Sequence, residues 1–245
     1  MSSQKPKKVL ILGASSGIGR EVARLFIDMG CTVSVAARRE TPLQELKAID
    51  PSRVEYSLVD VVAENAAAGL QELAERTGGI DIYIHAAGIG SQNRVLDLPI
   101  EENTVRTNAV GFMRAMNWAY HYFVSQGGGH IVVISSIAGT KGLGPAPAYS
   151  ATKAFQANYV EALEQLARQQ GHPIRFTDIR PGFVDTPLLG EKPSYPMLMR
   201  VDDVAKSIVK AVMREDDVKV IDWRYRIMVA LWRLLPRWIW KRMRI

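Results

Sequence analysis

A chain of 245 residues, 47% apolar and 23% charged, is sized for one α/β domain or at most two small ones and can bury a substantial core. Seven of its 31 Lys and Arg, and none of its 25 Asp and Glu, fall in residues 223–245, so the remainder carries 24 basic against 25 acidic groups; the net charge of +6 belongs to the tail, which argues against a nucleic-acid stripe across the fold. The one cysteine, Cys31, excludes an internal disulfide and suits a reducing, cytoplasmic compartment, the polar start MSSQKPKK carries no secretory pattern, and no apolar run approaches the roughly 18 residues of a membrane span.

In chain order, Lys8–Leu12 (KVLIL) reads as a strand, 18–29 as a helix and 32–36 (TVSVA) as a strand. A short helix over 42–49 and a strand over 53–58 follow, then a helix over 63–76 ended by Gly78-Gly79. Residues 80–85 read as a strand, and one long helix is expected over about 102–126, stopped by Gly127-Gly128-Gly129. Residues 131–134 (IVVI) read as a strand, 149–170 as a helix closed by Gly171, 174–179 as a strand, 202–213 as a helix and 218–221 as the last strand. Such β-α alternation predicts an α/β fold: a Rossmann-type, doubly wound parallel sheet of about seven strands with helices on both faces. Right-handed crossovers then put the loops after the strands on one edge, where ligands bind. The expected organisation is a single domain over 1–222, carrying cofactor and catalytic sites, followed by a basic amphipathic segment over 223–245.

The first strand runs into Gly13-Ala14-Ser15-Ser16-Gly17-Ile18-Gly19 and then a helix. Glycines there let the backbone approach a pyrophosphate, and the helix N-terminus offers free N–H groups and a favourable dipole. The G-x-x-x-G-x-G spacing resembles the short-chain dehydrogenase/reductase family, whose loop reads TGxxxGIG; Leu12 stands where that threonine would be. The resemblance covers roughly residues 7–221. It implies a nicotinamide cofactor held by Gly13, Ser15, Ser16, Gly17, Ile18 and Gly19. After the second strand, Ala37 replaces the acid that would accept from an NAD ribose, and Arg38 and Arg39 follow, with Arg38 suited to a 2′-phosphate; NADP(H) is therefore expected. Asp60 and Val61 match the adenine contact. His85-Ala86-Ala87-Gly88 matches the family's NNAG with both asparagines absent, and Ala86, Ala87 and Gly88 join the cofactor set.

Tyr149 and Lys153, four apart on a helix, share a face. An ammonium, with the positive ring of oxidised cofactor, favours phenolate and is expected to lower the Tyr149 pKa. Tyr149 can then serve as general acid in reduction and general base in oxidation. Ser136 lies thirteen residues earlier, as in the family the chain resembles, and can donate to a substrate carbonyl. Asn108 stands inside the long helix, where asparagine is disfavoured; the resemblance gives it a proton-relay water near the lysine, and gives Lys153 a bond to the nicotinamide ribose. Pro181, Gly182, Val184 and Thr186 lie in the stretch matching the family's PG motif, which closes over the carboxamide. Catalytic candidates are thus Asn108, Ser136, Tyr149 and Lys153; Tyr149 and Lys153 also contact cofactor. No metal site is expected, since no histidine pair has ligand spacing.

The tail, WRYRIMVALWRLLPRWIWKRMRI, holds four of the five tryptophans. At 100° per residue, Arg226, Arg233, Arg237, Lys241 and Arg244 form one stripe, and Pro236 splits or kinks the helix. This is the pattern of an interfacial helix; packing on the body or on another subunit are the alternatives. The expected function is carbonyl–alcohol interconversion by hydride transfer, acting on a hydrophobic or lipid-derived ketone. A soluble reductase of small carbonyls and a non-catalytic NADP(H)-sensing protein are the alternatives. Expected partners are an apolar small-molecule substrate, further copies of the chain in a homodimer or homotetramer, and a membrane surface touched through 223–245, with no nucleic acid. The segment 187–199, rich in Leu and Met, is expected to form a short lid.

Overall fold

The inner strands KVLIL, IYIH and GHIVVI are apolar on both sides, so each needs cover on both faces. In β1 (Lys8–Leu12), Val9 and Ile11 enter one core while Leu10 and Leu12 enter the other. The computed structural model describes residues 6–189 and 195–243. Around β1 lie β2 (Thr32–Ala37), β3 (Val54–Leu58), β4 (Ile82–His85), β5 (Gly129–Ile134), β6 (Ile174–Pro181) and β7 (Val218–Ile221). All pairs are parallel, in the order β3-β2-β1-β4-β5-β6-β7. The order reverses between β1 and β4, which opens a crevice at their carboxyl ends.

One core packs α1 (Gly17–Asp28), α2 (Glu40–Ile49) and α7 (Val201–Met213) on the sheet, through Val22, Phe26, Leu43, Val204 and Ile208. The other packs α3 (Ala66–Arg76), α5 (Phe112–Gln126) and α6 (Pro147–Gln170), through Leu70, Leu73, Phe112, Phe123 and Val160. Each fully buried Leu, Ile or Phe contributes about 1.5–3 kcal/mol. Cys31 is buried and belongs to the first core.

The stretch expected as one helix over 102–126 is three pieces. α4 (Leu98–Val105) starts on an Asp97 cap, a π-helical turn covers Arg106–Gly111, and α5 follows. The turn has a local cause. The Asn108 side chain reaches out to Ile89, and Gly111 lies so close to Val61 that a Cβ would come within 2.8 Å of its carbonyl oxygen. The third helix starts at Ala66 rather than 63, because Ala63 N–H closes a turn on the Asp60 carbonyl (3.0 Å).

The tail forms α8 (Trp223–Leu234) and α9 (Arg237–Trp240), split at Leu235-Pro236. Tyr225 and Val229 enter the first core, and the Trp240 indole donates to the Gly142 carbonyl (2.8 Å). Arg244 and residues 190–194, the middle of the expected lid, lie outside the described residues. Among the described residues no helix is long and apolar enough to cross a membrane, and no cluster of three metal-ligating side chains occurs.

Candidate active site

The phosphate loop is shaped by contacts that no side chain would fit. A Cβ on Gly13, whose φ is +97°, would lie 2.4 Å from the Ala87 nitrogen, and one on Gly19 would lie 2.4 Å from the Gly13 carbonyl oxygen. The loop, the start of α1 and Ala86-Ala87 after β4 are therefore in direct backbone contact. Ser16 precedes α1 without a side-chain capping bond. The first-turn N–H groups of a twelve-residue helix thus face the crevice with their dipole, which suits a pyrophosphate. Thr186 packs against this turn, its methyl 3.2 Å from where a Gly17 Cβ would sit.

At the end of β2 the two arginines differ. Arg39 donates to the Ser15 hydroxyl (3.1 Å) and carbonyl (3.3 Å), so its guanidinium lies across the phosphate loop. Arg38 is exposed, with no side-chain hydrogen bond among the described residues. Arg38 is the arginine that the sequence suits to a 2′-phosphate, but Arg39 is the one already held at the loop. Asp60 accepts from Val62 N–H (3.2 Å), fixing the bend after β3, and Val61 is buried beside the π-helical turn. These residues fit an adenine dinucleotide bearing an extra phosphate: amide groups for the pyrophosphate, cations beyond the second strand, and Ala37 rather than an acid at the strand's end.

The four catalytic candidates come together at the carboxyl edge of β4 and β5. Asn108 is fully buried. It accepts from Ile89 N–H (2.9 Å) and donates to the Ile89 carbonyl (2.7 Å) and to Thr152 (3.3 Å), so it clamps the loop beyond Gly88. The two positions where the family has asparagines are His85 and Ala86. The first of those positions, His85, is buried against Phe112 and bonded to the Tyr83 hydroxyl through Nδ1 (3.0 Å). Burial pushes its pKa down to about 3, so it is neutral, and its Nε2 has no hydrogen-bond partner among the described residues.

Ser136 follows β5. Its hydroxyl accepts from Ala138 N–H (3.1 Å) and lies 3.5 Å from the Pro181 carbonyl. Tyr149 sits in the first turn of α6, with the Lys153 ammonium 5.8 Å from its ring centre. Burial raises the Tyr149 pKa and hydrogen bonding with Ser136 acts against it. The expected lowering is therefore not met by the chain alone; desolvation of the phenolate outweighs the help of the Ser136 hydrogen bond. Lys153 is buried too, and burial pushes its pKa down to about 8 while the Asp178 carboxylate resists. The ammonium donates to the Ile134 carbonyl (3.1 Å) and to the Gln156 side-chain oxygen (2.9 Å).

Three residues of this site were not anticipated. Gln156, fully buried, bridges Lys153 to the Asn108 carbonyl. Asp178 on β6 is buried with Arg180 (2.6 Å) and accepts from the Ser135 hydroxyl. Tyr225, from the tail, lies over Gly182, where a Cβ would come within 2.2 Å of its ring. Its hydroxyl accepts from Phe183 N–H (3.1 Å) and points at the carbonyls of Pro196 (3.0 Å) and Met197 (3.2 Å). Val184 pairs with Met199 in an isolated bridge. The Pro181-Gly182 segment is thus held between the sheet and the tail. A YxxxK helix is readable because spacing carries it; each of these three also makes bonds across 28 to 48 residues of chain, which no local pattern records.

Comparison with known proteins agrees with this geometry. The model of the short chain dehydrogenase family matches residues 7–195. An uncharacterised oxidoreductase of Mycobacterium tuberculosis is 34% identical over 242 residues, covering 94% of this chain and 95% of its own. One from Myxococcus xanthus is 30% identical over 248 residues, covering 96% and 95%. Among solved structures, a short-chain dehydrogenase from Streptomyces avermitilis has a TM-score of 0.80 at 23% identity, covering 92% of both chains. ElxO with NADP bound has a TM-score of 0.79 at 24% identity, covering 91% of this chain and 100% of that one. An actinorhodin polyketide ketoreductase variant with NADPH gives 0.76 at 26% identity, covering 90% and 97%. Since the family model spans most of the chain and relatives match nearly end to end, this protein belongs to the short-chain dehydrogenase family of oxidoreductases.

Proposed function

We propose that the protein is an NADP(H)-dependent oxidoreductase that interconverts a carbonyl and an alcohol, reducing a hydrophobic or lipid-derived ketone. The observation that carries this is the convergence of Ser136, Tyr149 and Lys153 beside a phosphate loop spanned by Arg39. When bound, NADPH supplies a hydride. Ser136 and Tyr149 would hold the carbonyl oxygen by two hydroxyl groups, and the Tyr149 proton passes to that oxygen as negative charge develops on it. Lys153 would stabilise the resulting phenolate and would hold the cofactor ribose. In oxidation Tyr149 takes the proton instead. NADP and NADPH in two structural neighbours support the choice of cofactor, as do Ala37 and the adjoining Arg38-Arg39.

An apolar substrate is supported by the segment after β6, where Leu188 and Leu198 are exposed and Phe183 stacks near Tyr195. A homo-oligomer formed through α4–α5 and α6 is supported by Val105, Val110, Met113, Phe155 and Leu166, all exposed on those helices or on the π-helical turn. The buried thiol of Cys31 suits a cytoplasmic setting. A spectrophotometric screen of NADPH consumption over 3-oxoacyl, sphingoid-type, steroid and small aldehyde substrates tests the reading. Turnover of an apolar ketone supports it. Turnover of small aldehydes alone overturns the substrate class, and NADPH binding without any turnover overturns the enzymatic reading.

A further inference from the structure

Helix α8 has two apolar faces. At 100° per residue Tyr225, Val229 and Trp232 face the body, whereas Trp223, Ile227, Leu231 and Leu234 fall within an arc of about 80° on the opposite side. Those four, with Trp238 of α9, are 53–79% exposed. A surface helix ordinarily puts polar groups there. Arg226 and Arg233 line one margin of the arc and Arg224 the other, with Arg237, Lys241 and Arg242 following. Arg224 is paired with Asp222 (2.8 Å). Among the described residues, no carboxylate lies within ion-pair distance of the other five. The Arg242 guanidinium lies 5.6 Å from the Trp238 ring centre. The stripe is also fixed in place, since Lys141 donates to the Leu235 carbonyl (3.1 Å) and Trp240 to Gly142 (2.8 Å).

We propose that this stripe is a docking surface for an anionic lipid bilayer, with Trp223, Ile227, Leu231, Leu234 and Trp238 entering the interface and the arginines meeting the headgroups. Charge selects this occupant. Two copies of the chain joined by the stripe about a two-fold axis would bring like-charged rims together, which costs energy, whereas an anionic surface neutralises the rim. Exposed Trp and Leu flanked by Arg is the composition of a helix lying in the membrane plane. Docking there also orients the enzyme. α8 leaves the carboxyl end of β7, the same sheet edge at which the loops after β4 and β6 expose Val95, Leu96, Leu98, Leu188 and Leu198. The docked edge is therefore the one that carries the candidate active site.

The test is co-sedimentation of the full-length protein with phosphatidylcholine vesicles, with and without phosphatidylserine. Binding is expected only with phosphatidylserine, and it should weaken as added salt shortens the Debye length from about 10 Å at 0.1 M to 3 Å at 1 M. Arg233→Gln together with Arg237→Gln should reduce binding by more than tenfold, at roughly fivefold per charge. Ile227→Ser together with Leu231→Ser should reduce it comparably. Both pairs are exposed, so thermal melting should not change and a loss of binding is not a loss of fold. Equal or absent binding to the two vesicle types overturns the proposal, as does binding that neither variant reduces. If vesicles are ignored while the Ile227/Leu231 variant changes the mass by light scattering, the stripe is a contact between copies of the chain and the proposal is wrong.

Discussion

The Lys153 ammonium donates to the Gln156 side-chain oxygen, and the Gln156 amide donates onward to the Asn108 carbonyl, each over 2.9 Å. A neutral amide thus meets a buried cation, and the π-helical turn orients that amide. Burial leaves Lys153 with a pKa of about 8, below the ordinary lysine value of roughly 10.4. Reduction needs the ammonium, so kcat/KM for reduction should fall as pH rises through about 8. The stability sign is opposite. The unfolded chain binds more protons between that pH and about 10, so the penalty for burying Lys153 is full below the folded pKa and shrinks as pH rises through this window. In Gln156→Glu a carboxylate should move the falling limb of the rate profile upward by a unit or more. In Gln156→Leu the limb should move downward, with a loss of about 1–3 kcal/mol of stability from the unsatisfied groups. pH–rate profiles of both variants check this; two unshifted profiles would mean that Gln156 only fills space.

Tyr149→Phe removes the proton donor and keeps the ring that packs on Gly90. kcat should drop by at least about a hundredfold with NADPH affinity unchanged. Lys153→Met should impair both turnover and cofactor binding, because the proposed function gives one ammonium both the phenol and the ribose. Fluorescence titration with NADPH, alongside steady-state rates, separates the two effects.

Replacing Arg38 and Arg39 together by alanine should raise KM for NADPH and leave NADH nearly unaffected. Charge-assisted bonds contribute about 1.5–3 kcal/mol, so the shift should be roughly 10- to 100-fold. The single variants rank the two: Arg39 is held at Ser15, so its loss should cost more than that of Arg38. Equal kcat/KM for both nucleotides in the unaltered protein would defeat the NADP(H) assignment.

Tyr225→Phe leaves the Phe183 N–H and the carbonyls at Pro196 and Met197 without their common hydroxyl. Stability should fall by about 1–3 kcal/mol. KM for substrate and NADPH should rise more than kcat falls, since the hydroxyl positions backbone and touches no reacting atom. Denaturant unfolding with steady-state kinetics reads both.

Much of this architecture is legible in the chain. Short runs such as KVLIL and IVVI read as strands buried on both faces, and Gly30, Gly78, Gly127 and Gly171 mark the ends of α1, α3, α5 and α6. Ser136, Tyr149 and Lys153 were legible because their chemistry depends on spacing. The π-helical turn at Asn108 was not, since the apolar pattern runs through it and its cause lies in Ile89 and Val61. Nor was the choice between Arg38 and Arg39, which depends on how β2 turns into α2. Gln156 reads as an ordinary helix residue until Asn108 is folded against it, and Tyr225 as one aromatic among several in a basic tail.

Tyr225 has a thermodynamic consequence. Its hydroxyl joins α8 to Phe183 on one side and to Pro196 and Met197 on the other, so the tail and the segment bordering the candidate active site share one anchor. Two elements tied to one anchor do not loosen independently: freeing the Pro196-Met197 segment removes part of what holds α8, and freeing α8 removes part of what holds the segment. Reciprocity requires the same coupling free energy in both directions. A ligand that orders the 195–199 stretch must therefore also protect the amides of α8 from hydrogen exchange, and anything that clamps α8 must tighten that ligand by an equal factor.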